Sequence, residues 1–184
     1  MRRFDAIQEI ACFLTDELVV CNLGYPAREL YALQDRPENF YMLGSMGLAS
    51  SIGLGIAIAQ PNRRVMCIEG DGSILMNLGS LATIANIHPP NLTLVVIDNG
   101  THGSTGDQPT ATSGVTRLDI LARGAGFKSV TVIQVQQEIC PTLSQMQEEC
   151  HFILIKVEPG NAPVDLVPFS PEAIKERFMQ SLIA

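Results

Sequence analysis

Residues 65–99 constrain the fold more tightly than any other part of the chain. Val65-Met66-Cys67-Ile68 is a short apolar run, as expected of a parallel strand buried on both faces. It leads into Glu69-Gly70-Asp71-Gly72-Ser73, with Glu69 read as part of the loop. From 73 to 86, Leu75, Leu78, Leu81, Ala82 and Ala85 recur at three- and four-residue spacing. That spacing predicts a helix with Ser73 as its N-cap. His88-Pro89-Pro90-Asn91 ends it, because proline bars continuation and restricts the residue before it. The apolar run 91–98 is the next strand, and Asn99 follows it. This order puts Asp71 and Asn99 at the carboxyl ends of neighbouring strands, where open α/β sheets bind ligands.

The residue types suit a cation-bridged anion. Magnesium takes about six oxygens, usually one or two from protein carboxylates and the rest from phosphate, carbonyl and water. Asp71 offers a carboxylate oxygen and Asn99 an amide oxygen. A backbone carbonyl within 99–103 can supply a third. Gly70 and Gly72 let a diphosphate approach the main chain, and the N–H groups opening the helix face an anion. Gly-Asp-Gly alone marks only a turn. Preceded by a strand and followed by a helix, a strand and an asparagine, it marks a magnesium-bridged diphosphate site.

Composition narrows the remaining classes. With 184 residues the chain can bury a sizeable core, and one domain over 1–184 is expected. It carries a net charge of −7 and no basic stripe, so nucleic-acid binding is disfavoured. No long apolar stretch opens the chain, so no secretory leader is expected. The longest membrane candidate, 42–59, is interrupted by glycine and serine and reads as a small-residue helix under a sheet, not a span. The five cysteines are scattered, which suits reduced thiols in the cytoplasm, with Cys12, Cys21 and Cys67 as core residues.

Elsewhere the pattern alternates. Helices are expected near 3–13, 27–33, 48–59, 118–126, 136–149 and 171–182, and extended segments at 18–21, 39–42, 130–132 and 152–157. Repeated βα units imply a three-layer α/β/α, doubly wound, mostly parallel sheet.

Three segments carry a resemblance. Gly44-Ser45-Met46-Gly47, Gly70-Asp71-Gly72-Ser73 and the run from Asp98 through Asn99-Gly100-Thr101-His102-Gly103 to Gly106 stand in one order. That order resembles the diphosphate-binding half of thiamine diphosphate-dependent decarboxylases. The run Gly103-Ser104-Thr105-Gly106-Asp107-Gln108-Pro109-Thr110 is similar to the branch acting on sulfopyruvate and phosphonopyruvate. The resemblance implies thiamine diphosphate and Mg2+ as cofactors, with Asp71, Asn99 and the Thr101 carbonyl as metal ligands. It implies that Gly70, Gly72 and Ser73 meet the diphosphate, with His102 and Gly103 close by. Gly44, Ser45 and Met46 would hold the aminopyrimidine, the Met46 side chain propping the cofactor in its bent form.

His102 is the candidate for substrate or proton handling, with a loop histidine bonded to a carbonyl as the alternative. Ser104 and Thr105 can donate to substrate or diphosphate.

Decarboxylases of this kind also need a glutamate that activates the aminopyrimidine, held in a separate pyrimidine-binding domain. None of the glutamates here has that context, so the resemblance implies a partner (alpha) subunit, a hetero-oligomer, and an active site between chains. The expected reaction is decarboxylation of a small anionic 2-oxo acid, 3-sulfopyruvate first and phosphonopyruvate or another 2-oxo acid as alternatives. A non-catalytic nucleotide-binding module is the reading from another class. The chain lacks Gly-x-Gly-x-x-Gly after a strand and lacks Gly-x-x-x-x-Gly-Lys-Ser/Thr, which argues against it.

Overall fold

The computed structural model describes residues 1–146 and 148–183. In chain order its elements are α1 (Arg3–Phe13), β1 (Leu18–Cys21), α2 (Tyr25–Leu33), β2 (Asn39–Tyr41), α3 (Ala49–Ala59), β3 (Val65–Gly70), α4 (Asp71–Met76), α5 (Gly79–Ile87) and β4 (Leu92–Asp98). There follow a small hairpin of β5 (Thr101–His102) and β6 (Gln108–Pro109), then α6 (Leu118–Ala125), β7 (Ser129–Ile133), α7 (Ile139–Ser144), β8 (His151–Lys156) and α8 (Pro171–Ser181). Six strands form one parallel sheet in the order β2-β1-β3-β4-β8-β7.

The sheet is apolar on both faces, as the unbroken runs of β3 and β4 require. On one face Leu18, Val20, Val65, Cys67, Leu92, Leu94, Val96, Phe152 and Leu154 pack beneath α3, α4, α5 and α6. On the other, Val19, Cys21, Met66, Ile68, Val95, Ile97, Ile153 and Ile155 pack beneath α1, α2 and α7. The result is the expected three-layer, doubly wound arrangement. α8 closes one edge, giving Phe178 to the first core and Ile174 to the second.

The small-residue segment behaves as its composition demands. Ala49, Ser50, Gly53, Leu54 and Ala57 of α3 are buried against the sheet. No described helix is long and apolar enough to cross a membrane. Cys21 and Cys67 are core residues, but Cys12 is exposed on the outer side of α1, and all five thiols are free.

Three local expectations fail for tertiary reasons. The helix over 73–86 is two helices, α4 and α5, broken at Asn77, whose φ is −142° and ψ 53°. Asn77 leaves the helix because its Nδ2 donates to Gly47 O at 2.9 Å, tying the 44–47 segment to α4. Ser73 is not an N-cap, since α4 begins at Asp71 with Gly70 in the cap position. Its Oγ instead accepts from Gly47 N at 2.8 Å and donates to Asn22 Oδ1 at 3.2 Å. The helix expected over 136–149 is a 3-10 turn, Gln136–Glu138, and the short α7. Residue 147 lies outside the described residues.

The order of the strands fixes where a ligand can enter. From β1 the chain steps outward to β2, then returns past β1 to β3 and β4. The connections leaving β1 and β3 therefore pass to opposite faces, α2 into one core and α4 into the other. Between them, at the carboxyl ends of the strands, a crevice opens.

Candidate functional site

That crevice has a volume of about 180 Å³ and is lined by residues of both connections, among them Asn22, Leu23, Pro26, Gly70, Asp71, Gly72 and Ser73. Asn99, Thr101, His102, Gly103, Ser104 and Thr105 close it from the β4 side, and Met46 reaches it from the segment before α3. A larger depression, about 550 Å³, lies at the opposite edge beside Val65, Thr93 and His151, at the amino ends of the strands. Ligands of open α/β sheets bind at the carboxyl ends, so the smaller cleft is the candidate site.

Its floor is a set of oxygens. The Asp71 side chain is buried, and its Oδ2 accepts from Thr110 Oγ1, with Thr112 Oγ1 at 2.9 Å. Its other oxygen, Oδ1, lies 3.1 Å from the side-chain oxygen of Asn99, which in turn lies 2.9 Å from the Thr101 carbonyl oxygen. In this orientation the Asn99 oxygen meets repulsion from both neighbours, besides accepting from Thr101 N at 3.4 Å. Turning the Asn99 amide over would replace both contacts with donated hydrogen bonds. As oriented here, its nitrogen donates to Thr101 Oγ1 at 3.1 Å. Oxygens bound side by side to one octahedral Mg2+ stand about 3.0 Å apart. The two observed separations match that edge, so these three groups fit a shared hard cation. Among the described residues no three of His, Cys, Asp or Glu gather as a metal group. The groups that converge here are instead one carboxylate, one amide and one carbonyl.

Burial, together with the neighbouring Asp98, pushes the Asp71 carboxyl above the usual carboxylate range. A cation would reverse that, and the sequence prepares for it by supplying hydroxyls, not further acids, around Oδ2. Thr110 and Thr112 follow the β5–β6 hairpin in a 3-10 turn, a placement that periodicity does not reveal.

Two glycines make room above the oxygens. A Cβ at Gly72 would stand 2.6 Å from His102 Cε1 and 2.8 Å from its Nδ1, so the imidazole rests directly on the main chain of the motif. Gly24, with φ +81°, precedes α2, and a Cβ there would stand 2.6 Å from Ser104 Oγ. The hairpin thus lies over the starts of both α2 and α4, where free N–H groups favour an anion. The Asn22–Pro26 corner is a part of the site that sequence reasoning missed. Gly24 followed by Pro26 near the start of a helix was the available signal.

Gly44 and Ser45 are not brought into this cleft. They are exposed and line a shallow neighbouring depression with Phe40, Leu43 and Leu48. Only Met46 of that segment reaches the cleft itself.

A guanidinium also lines the cleft. Arg3 donates from Nε and Nη2 to both oxygens of the buried Glu29, at 2.9 and 3.0 Å. The Asn161 side chain accepts from Arg3 at 2.8 Å and donates to Gly103 O at 2.8 Å, tying the hairpin to the start of α1.

Glu69 is no loop residue. It belongs to β3, is fully buried, and its Oε1 accepts from Ser50 N at 3.0 Å at the start of α3. Burial raises its pKa above the ordinary 4.5. A carboxyl raised on folding contributes most stability below its unfolded value, and that contribution is lost as pH rises through the folded value. Glu69→Gln is therefore expected to melt at a higher temperature than the parent near neutrality, with the gap closing as pH falls towards 4.5. Thermal melts across pH check this, and a variant less stable than the parent at neutral pH contradicts it.

Known proteins resemble this chain in sequence and in fold. Residues 24–157 match the thiamine pyrophosphate enzyme, C-terminal TPP-binding domain, and the chain belongs to that family. It is 45% identical to the sulfopyruvate decarboxylase subunit beta of Methanothermobacter thermautotrophicus over 99% of this chain and 96% of that one. It is 41% identical to the sulfopyruvate decarboxylase of Methanosarcina acetivorans over 99% of this chain but only 47% of that longer protein. It is 49% identical to the phosphonopyruvate decarboxylase of Streptomyces viridochromogenes over 62% of this chain and 28% of that one. In fold it is similar to a putative thiamin diphosphate-dependent enzyme from Mycobacterium smegmatis, with TM-score 0.69 and 16% identity over 86% of this chain and 32% of that one.

Proposed function

We propose that this chain is the diphosphate-binding subunit of a two-chain decarboxylase that converts 3-sulfopyruvate to sulfoacetaldehyde and CO2. The observation that carries the proposal is the convergence of the Asp71 carboxylate, the Asn99 side-chain amide and the Thr101 carbonyl, with separations of 3.1 and 2.9 Å. Similarity to beta subunits over nearly their whole length supports the two-chain form. Membership of the thiamine pyrophosphate family weighs against a nucleotide-binding module.

Asp71, Asn99 and the Thr101 carbonyl hold Mg2+. The N–H groups at Gly72 and Ser73, with Gly70 giving room, bind the diphosphate beside the Asn22–Pro26 corner. Gly44 and Ser45 reach the aminopyrimidine through main-chain groups once a partner covers them, and Met46 supports the bent cofactor. His102, resting on Gly72, is placed to orient the substrate or carry a proton, with Gly103 shaping the turn beside it. Thiamine diphosphate, when bound, supplies the electron sink that decarboxylation of a 2-oxo acid requires. A partner chain with a pyrimidine-binding domain supplies the activating glutamate.

The phosphonopyruvate alternative has its own support, the 49% identity to the Streptomyces enzyme. Charge on the hairpin beside the cleft favours the sulfonate. Arg3 lines the cleft but is committed to Glu29, and Asp107 stands exposed on the hairpin beside the neutral donors Ser104, Thr105 and Gln108. A sulfonate is a monoanion, whereas a phosphonate tends to a dianion near neutrality and meets more repulsion from Asp107. Pyruvate brings no second anionic group for these donors to meet. The specificity constant of the reconstituted pair for sulfopyruvate is therefore expected to exceed that for phosphonopyruvate by about tenfold or more, with pyruvate lowest. Steady-state kinetics on the three acids at one pH test this. A higher value for phosphonopyruvate overturns the substrate assignment.

A further inference from the structure

A second carboxylate borders the proposed cation site. Asp98 ends β4 immediately before Asn99 and is buried. Its Oδ1 accepts from Gly100 N at 3.1 Å and lies 2.8 Å from Thr112 Oγ1. The same Thr112 hydroxyl lies 2.9 Å from Asp71 Oδ2, so one hydroxyl separates the two acids. The other oxygen of Asp98 is held by Lys156 Nζ. Parallel pairing of β4 with β8 sets Asp98 opposite Lys156 at the ends of both strands, which is what delivers the ammonium there.

We infer that Lys156 is a positioning residue that sets the charge of the cation site. By neutralising Asp98 it leaves Asp71 as the uncompensated carboxylate among the proposed ligands, which favours a cation arriving with a diphosphate over a cation alone. The inference rests on the cofactor assignment above. A second free negative charge this close draws a bare divalent cation in more strongly. It also repels the diphosphate, which brings more negative charge than the metal cancels. Charge-setting therefore moves the two affinities in opposite directions. A residue that merely held the fold together would move them the same way.

The test uses the full chain with its partner and Mn2+ as a spectroscopic substitute, since Mn2+ also accepts octahedral oxygen ligands. Lys156→Met is expected to bind free Mn2+ about three- to tenfold more tightly, and thiamine diphosphate at saturating Mn2+ about three- to tenfold more weakly. The shifts are modest because the Lys156 side chain is 36% exposed and solvent screens it. Lys156→Met also leaves a buried charge unpaired and lowers stability. Asp98→Asn avoids that, keeping an acceptor for Gly100 N–H, and is expected to shift both affinities in the reverse sense. The double variant returns both close to the parent. Both affinities falling together in Lys156→Met, or neither moving in either single variant, overturns the inference. A parent protein that takes up no thiamine diphosphate with Mn2+ refutes the cofactor assignment instead.

Discussion

Replacing Asp71 with alanine is expected to abolish Mg2+-dependent binding of thiamine diphosphate while leaving the fold intact. Asp71 is the only carboxylate among the three oxygens that face one another, and it divides its own two oxygens between tasks. Oδ2 takes the hydroxyls of Thr110 and Thr112, and Oδ1 is left for the cation. Losing it removes both a ligand and the site's uncompensated charge. Loss of an outer-shell partner alone costs roughly 10- to 100-fold in metal affinity, so loss of the ligand is expected to exceed about 100-fold. The fold should survive because an ionised Asp71 is itself costly without a cation, as the upward shift of its pKa by burial shows. Titration calorimetry on the variant, with circular dichroism as the folding control, gives the answer. Undiminished Mg2+-dependent affinity in the folded variant would remove Asp71 from the site.

The second large effect concerns the partner. The purified chain alone is expected to show no measurable decarboxylation, and addition of a pyrimidine-domain chain is expected to restore it. Positioned acid–base groups contribute roughly 10²- to 10⁴-fold, and among the described residues no glutamate lines the cleft. Exposed apolar side chains also mark the surface of the chain. Leu43 is 51% exposed, Leu48 44%, Met76 65% and Val115 97%. Between 39 and 62, and again between 72 and 97, the sequence contains no Asp, Glu, Lys or Arg. The outer faces of α3 and α5 are therefore uncharged, as surfaces covered by a partner are. Substitution of Leu43 and Leu48 by aspartate should prevent restoration. Robust decarboxylation by the single chain contradicts the two-chain proposal.

Much of the fold was legible because the decisive segments were extreme. The β3 and β4 runs contain no charged residue except at their ends, and an apolar run that short has few alternatives to a buried parallel strand. Helix boundaries were legible only where local chemistry set them. Pro89 and Pro90 end α5 near the expected place, whereas the break at Asn77 is imposed by a hydrogen bond to Gly47 thirty residues away.

The site divided along the same line. Asp71, Asn99 and Thr101 come together because strand adjacency follows from the βαβ pattern. Thr110, Thr112 and Lys156 were not legible, because their approach to the two carboxylates depends on the path of a hairpin and on β8 lying beside β4. Arg3 was missed for a similar reason: it sits on α1, far from the motif in sequence, and is held at the cleft by Glu29 and Asn161.

The central claim is that the Asp71, Asn99 and Thr101 oxygens hold the cation that anchors thiamine diphosphate to this chain. Native mass spectrometry of the chain with its partner, before and after chelation, tests it most directly. The account predicts one thiamine diphosphate and one Mg2+ for each copy of this chain, both lost together when the metal is chelated. Thiamine diphosphate retained in full after the metal is removed, or absent at saturating cofactor and Mg2+, would contradict it.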